Sequence, residues 1–172
     1  MNTAGRAKTD DAPAGAPRQV LTFCLGPETY GVDILRVQEI RGWAPVTRIP
    51  HTPVQVLGVL NLRGSIVPII DLRVQFALDK AEFTPLTVIV VLSVKTPAGK
   101  REFGLVVDSV SDVVDIEADD MKETPSLGSQ VNEHFIQGLA TIADRMLILL
   151  DVDELIRHDL QQVESAGLAS AA

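Results

Sequence analysis

The chain has 172 residues, a net charge of -8 and a sequence pI of about 4.8, and no run of basic residues interrupts that acidity. Hydrophobic residues make up 46% of it but aromatic ones only 4%, so one ordinary domain or two small ones must be built around an aliphatic Val, Ile and Leu core suited to strands. Without cationic clusters to displace counterions or aromatics to stack on bases, nucleic acid is excluded as a partner class, and the lone Cys24 excludes an intrachain disulfide and fits a reducing compartment.

Residues 1–18 are rich in Ala, Gly, Pro, Lys and Asp and carry no signal-peptide core, which predicts a disordered tail. The run from Val88 to Leu92 is far shorter than the ~20 apolar residues needed to span a bilayer. A soluble, cytoplasmic chain with no membrane insertion is expected. A strand is predicted over 20–25, a turn over 26–28 and a hairpin partner over 30–34. Ile34, Val37 and Ile40 stand near helical spacing and suggest a short helical turn over 33–40. Pro45, Pro50 and Pro53 then enforce an extended passage.

Two apolar runs, 56–62 and 65–72, flank Arg63-Gly64 and read as a hairpin, with Pro68 assigning the second to an edge or a bulge. A linker over 80–85 leads to a β-branched buried strand over 87–94, a turn over 96–99 and a further strand over 102–110. Residues 117–134 read as a long polar loop, and 135–142 with 146–152 as a last hairpin. From Asp153, which could cap, Leu155, Ile156, Leu160 and Val163 recur at helical spacing and predict a C-terminal helix.

The chain also repeats itself. Tyr30-Gly31-Val32 through Val37 and Glu39-Ile40 aligns with Phe103-Gly104-Leu105 through Val110 and Asp112-Val113, and residues 58–71 align without a gap on 138–151. Two copies of one small β unit follow, over 19–82 and 83–152, with 153–172 as a helix and frayed tail. A position needed only for the fold should be alike in both copies. Arg63 aligns with Ala143, so the turn does not require arginine, whereas Gly58 and Gly138 agree and favour a structural role.

Chemistry is sparse. His51, His134 and His158 stand far apart, and no CxxC, HExxH, GxGxxG, P-loop or GxSxG pattern occurs. No metal, cofactor or catalytic residue is expected. Asp119-Asp120 and the carboxylates at 151–154 fit a loop and a helix start better than a calcium loop. A binding module is favoured over an enzyme or ligand-binding barrel whose polar site is assembled from distant residues.

Phe23-Cys24-Leu25-Gly26, Tyr30-Gly31-Val32-Asp33-Ile34, Val37-Gln38-Glu39-Ile40 and Ile49-Pro50 resemble the opening of the CheW family of chemotaxis coupling proteins. Residues 58–64, Gly-Val-Leu-Asn-Leu-Arg-Gly, running on through 68–73, resemble its most recognisable signature. The likeness continues through 104–108, 111–113 and 138–146 and covers 19–157. It implies a mainly β protein of two SH3-like barrel subdomains with short helices and a C-terminal helix, and no catalytic activity. Two partners are implied: the helical-hairpin cytoplasmic tip of a chemoreceptor and the regulatory domain of the histidine kinase CheA. The chain would be a monomer when free and join membrane-associated receptor arrays when bound. By the same resemblance, a groove between the subdomains would use Ile34, Val37, Glu39, Gly58, Arg63, Val88 and Gly138, with Val110 secondary. An adaptor for another receptor–kinase pathway, governing surface motility or biofilm formation, is the alternative.

Overall fold

The computed structural model describes residues 18–78, 82–122 and 135–165, with the side chains of the last helix described through Gln161. The predicted tail over 1–18 thus lies outside the described residues except for Arg18, as does most of the predicted polar loop over 117–134. The strands are β1 (Arg18–Leu25), β2 (Glu28–Asp33), β3 (Val37–Gly42), β4 (Val56–Leu62), β5 (Ser65–Asp71), β6 (Val88–Thr96), β7 (Gly99–Val107), β8 (Ser109–Ile116), β9 (Met121–Lys122), β10 (Ile136–Ile142) and β11 (Arg145–Leu150). Two α-helices accompany them, α1 (Leu72–Gln75) and α2 (Val152–Ser165). The chain is mainly β, as its composition and turn pattern predict.

The strands form two sheets, ordered β8-β1-β2-β11-β10-β9 and β3-β6-β7-β5-β4. The repeat is present in both, down to its irregularities. Gly31 pairs in parallel with Leu149, and its counterpart Gly104 with Ile69. The β4–β5 register shifts between Val56 and Gly58, and the β10–β11 register between Ile136 and Gly138. The Asp71 amide donates to the Gln55 carbonyl and the Asp151 amide to the Phe135 carbonyl, both at 2.8 Å.

Strand pairing nevertheless cuts across the boundary expected at 82/83. Hairpin β1–β2 of the first copy joins the sheet of β8, β10 and β11, and hairpin β6–β7 of the second joins β3, β4 and β5. A repeat identifies equivalent strands but not which copy supplies the neighbour, so this exchange cannot be read from sequence similarity. Each sheet also closes on itself. Beyond β3 the chain crosses to β4, where Thr47 and Val59 exchange two backbone bonds of 2.9 Å. Beyond β8, β9 pairs with β10 at Leu139 and Ala140.

Both faces of each sheet are therefore covered. Val90, Leu92 and Val94 of β6 join Leu21, Phe23, Leu150 and Leu155 in a core between the sheets. Ile89 and Val91 of the same strand point the other way, into a cluster with Leu62, Val67 and Ile69. Val20, Ala140, Leu147 and Leu149 form the corresponding cluster in the first sheet. A strand buried on both faces has no polar alternation, which accounts for the unbroken apolar run at 88–92.

Three local expectations are corrected. Pro68 lies in an internal strand rather than at an edge: the parallel ladder from β5 to β7 covers Ile69, Ile70 and Asp71, so the missing N–H at Pro68 falls outside it. The helical turn expected over 33–40 is a single 3-10 turn, Ile34–Arg36, capped by Asp33, which accepts the Leu35 amide at 2.9 Å; Val37 already begins β3. The C-terminal helix starts one residue early. Its cap is Asp151, whose Oδ1 accepts the Glu154 amide at 3.2 Å, which frees Asp153 for other work.

That work is a tie between units. Arg36 donates from both Nη atoms to the Asp153 carboxylate, at 2.9 and 2.6 Å, and the Lys95 amide donates to it at 3.0 Å. Asp153 aligns with Arg73 in the repeat, and Arg73 makes the opposite bond, donating from Nη1 to Asp108 at 3.1 Å. Each helix start thus grips the corner after the exchanged hairpin, with the charges reversed between copies. Burial works against ionisation of Asp153, but the bonds from Arg36 and Lys95 outweigh it and hold the carboxyl below its ordinary range. With the folded pKa below an unfolded value of about 3.9, this tie is fully present above that value and is lost as pH falls through the folded one. Arg36→Ala should cost about 1.5–3 kcal/mol at neutral pH, and Asp153→Asn should flatten the acid limb of stability against pH in urea unfolding.

Candidate functional site

β3 is an edge strand of its sheet, and the β4–β5 hairpin stands at the opposite edge. Because the sheet closes, the two edges meet, and the meeting point brings Glu39 and Arg63 together. Arg63 Nη2 lies 2.7 Å from Glu39 Oε1, and Arg41 Nη1 donates to Glu39 Oε2 at 3.3 Å. The bond from Arg63 lowers the Glu39 pKa below the usual carboxylate range; burial opposes this and Arg41 adds to it.

Arg63 occupies the first position of a two-residue turn, with φ of 54° at Arg63 and 90° at Gly64. Such a turn matches the twist of the flanking strands but requires the left-handed region at both residues. Asn61 supports it by accepting the Gly64 amide at 2.9 Å. The equivalent turn holds Ala143 and Asp144 at φ 50° and 66°, so the geometry is common to both copies and the guanidinium is not. The Arg63 side chain remains 68% exposed while Glu39 is 24% exposed, so the pair presents its cationic end to solvent. In the second copy Asp112, the counterpart of Glu39, instead accepts from the Thr22 hydroxyl at 2.9 Å, within its own sheet.

The remaining expected residues separate into two groups. Ile34, Val37, Val88 and Val110 are half-buried and pack against the rim of the core between the sheets. Val37 pairs with Leu92 and Val88 with Gly42, so they sit at opposite ends of the β3–β6 ladder. Gly58 and Gly138 are buried at the equivalent register shifts of separate sheets and are not brought together. Ile40 on β3 and Ile66 on β5 are large exposed apolar side chains, and the repeat aligns them with Val113 and Met146, which are likewise exposed.

The grooves beside the two hairpins are shallow. One of about 480 Å³ runs along Ser65, Ile66, Ser93, Lys100, Arg101 and Glu102, and one of about 160 Å³ along Thr22, Asp112, Arg145 and Met146. Each holds a single carboxylate, and among the described residues no group of three His, Cys, Asp or Glu side chains is placed to hold a metal ion. No helix among the described residues is long and apolar enough to cross a membrane. The arrangement offers apolar rim contacts and one exposed ion pair, the chemistry of a docking surface.

The polar groups that sequence reading missed are the buried ones. Arg73 is fully buried, donating from Nε and Nη2 to the two oxygens of Asp71 at 2.9 and 3.0 Å, and Asp159 is buried on α2. The signal was present in the repeat, where Arg73 and Asp153 occupy one aligned position that is charged in both copies.

The profile of the CheW-like domain matches residues 19–160. The chain is 46% identical over 142 residues to the chemotaxis protein CheW of Klebsiella aerogenes, covering 83% of each, and 39% identical over 138 residues to that of Rhizobium meliloti, covering 80% of this chain and 86% of the relative. The crystal structure of the scaffolding protein TtCheW from Thermoanaerobacter tengcongensis superposes with a TM-score of 0.71 at 32% identity, over 78% of this chain and 89% of that one. By profile, identity and fold, the chain belongs to the CheW family.

Proposed function

We propose that this chain is a non-catalytic adaptor of bacterial chemotaxis that couples the cytoplasmic tip of chemoreceptors to the regulatory domain of CheA. The two closed sheets are, on this proposal, SH3-like subdomains that hold the docking surface rigid, and the cytoplasmic chain is recruited from a free monomer to receptor clusters. The observation that carries the proposal is the Arg63–Glu39 pair. It is exposed at one end, it occurs in one copy of the repeat only, and the strand that carries Glu39 also carries Val37, which is half-buried with Ile34 against the core between the sheets. An exposed ion pair contributes little to stability because water screens it, so a carboxylate or carbonyl on a receptor helix can compete for the Arg63 fork. The rim then supplies apolar anchors of the kind a helix laid in a groove requires.

Arg63→Ala removes the fork without touching the turn, since alanine already occupies the equivalent position. Its circular dichroism and urea midpoint should match wild type. Co-sedimentation with receptor-bearing membranes should weaken roughly tenfold or more, the cost of losing one interface anchor. Unchanged co-sedimentation by a folded Arg63→Ala chain would remove this pair from the docking surface.

A further inference from the structure

The buried end of α2 carries a polar cluster that the docking surface does not use. Asp159 is 2% exposed. Its Oδ1 accepts from Gln55 Nε2 at 2.9 Å, and the Gln75 carboxamide of α1 lies against the same carboxyl. Three buried atoms in this cluster have no hydrogen-bond partner among the described residues: Asp159 Oδ2, Gln75 Oε1 and His158 Nδ1. Gln55 faces Asp159 from the segment before β4, Gln75 from α1 and His158 from α2 itself. Of the described residues, His158, with Nδ1 3.9 Å from Asp159 Oδ1, is the one titratable group acting on its charge. An ionised carboxylate here would be buried beside acceptors with no strong cation, a costly arrangement.

We propose that Asp159 is held as the neutral acid in the folded chain, its Oδ2–H donating to Gln75 Oε1, and that release of this proton to solvent loosens α2 from α1. One added hydrogen satisfies two orphaned atoms at once. Burial drives the Asp159 pKa upward, with the bond from Gln55 and the neighbouring Gln75 and His158 only partly opposing it. The affected helix seats Leu155 and Ile156 in the core between the sheets and packs on β6, the strand that carries Val88. A conformational lock on α2 therefore bears on the scaffold beneath the docking surface, yet it stands whether or not that surface binds a receptor.

With the folded pKa above the unfolded value near 4, the folded state holds a proton that the unfolded chain has lost. Stability is then greatest below the unfolded value and falls as pH rises, until the folded pKa is passed. The test uses the full chain with ¹³C-labelled aspartate, as wild type, Asp159→Asn and His158→Gln, the last removing the imidazole titration. The Asp159 Cγ resonance should remain in its protonated position well above pH 4 in both wild type and His158→Gln. In urea, the unfolding constant of wild type relative to Asp159→Asn should rise by up to about tenfold per pH unit above that point. A Cγ midpoint in the ordinary aspartate range, or a pH slope that Asp159→Asn leaves unchanged, overturns the proposal.

Discussion

Arg73→Ala should be the most damaging single polar change in this chain, costing about 3–5 kcal/mol, the penalty for leaving a buried charge without its partner. Arg73 is 0% exposed and Asp71 1% exposed, so water cannot replace what is lost. The guanidinium donates in three directions at once: to both oxygens of Asp71, to Asp108 and to the Glu82 carbonyl. Burial disfavours its charge, and the bonds to Asp71 and Asp108 more than reverse that, so it stays protonated at every accessible pH. Asp108 in turn accepts the Gly26 amide at 2.7 Å, so one side chain joins α1, the β7–β8 corner and the β1–β2 turn. These belong to both sheets. Arg73→Lys should recover little, because an ammonium cannot reproduce the planar fork. Urea unfolding followed by circular dichroism measures the loss. A shift below about 1 kcal/mol would mean that the buried network contributes far less than its geometry implies.

Gly58→Ala should cost about 3 kcal/mol, whereas Gly138→Ala at the equivalent position should cost about 1 kcal/mol or less. A Cβ on Gly58 would lie 2.1 Å from the Thr47 carbonyl oxygen and 2.8 Å from its carbon, and φ there is +152°, a conformation L side chains rarely adopt. The obstacle is backbone, and it is the segment that closes the second sheet. At Gly138 the nearest atom is Met121 Cε at 3.0 Å, the free end of a flexible side chain, which can move aside. The two glycines align in the repeat, but their surroundings differ. Any loss of partner binding in Gly58→Ala should be accompanied by a lower thermal midpoint. Lost binding at an unchanged midpoint would instead make Gly58 a contact residue.

Much of this fold is legible in the sequence because the repeat and the turns are local. Arg63-Gly64 between two apolar runs specifies a hairpin, and the alignment of 58–71 on 138–151 identifies its twin with the same register shift. What is not legible is non-local. The exchange of hairpins β1–β2 and β6–β7 leaves no trace in the similarity of the two copies. Asp153 looks like a helix cap until Arg36, 117 residues away, is seen bonded to it. Asp159 reads as one more polar residue on an amphipathic helix, since only packing reveals that it is buried and bonded to Gln55, 104 residues away. The residues of the proposed docking surface divide in the same way. Glu39 and Arg63 are picked out by resemblance to the CheW family, but their direct pairing depends on the closure of a sheet in which β3 and β4, consecutive in the chain, stand at opposite ends of the strand order.

The central claim is tested most directly by reconstituting receptor-bearing membranes with the cognate CheA and following kinase autophosphorylation with and without this chain. The adaptor account predicts that wild type raises kinase activity and places it under attractant control, while folded Arg63→Ala does neither. Kinase activity that is indifferent to the wild-type chain, with no co-sedimentation on the receptor membranes, would contradict it.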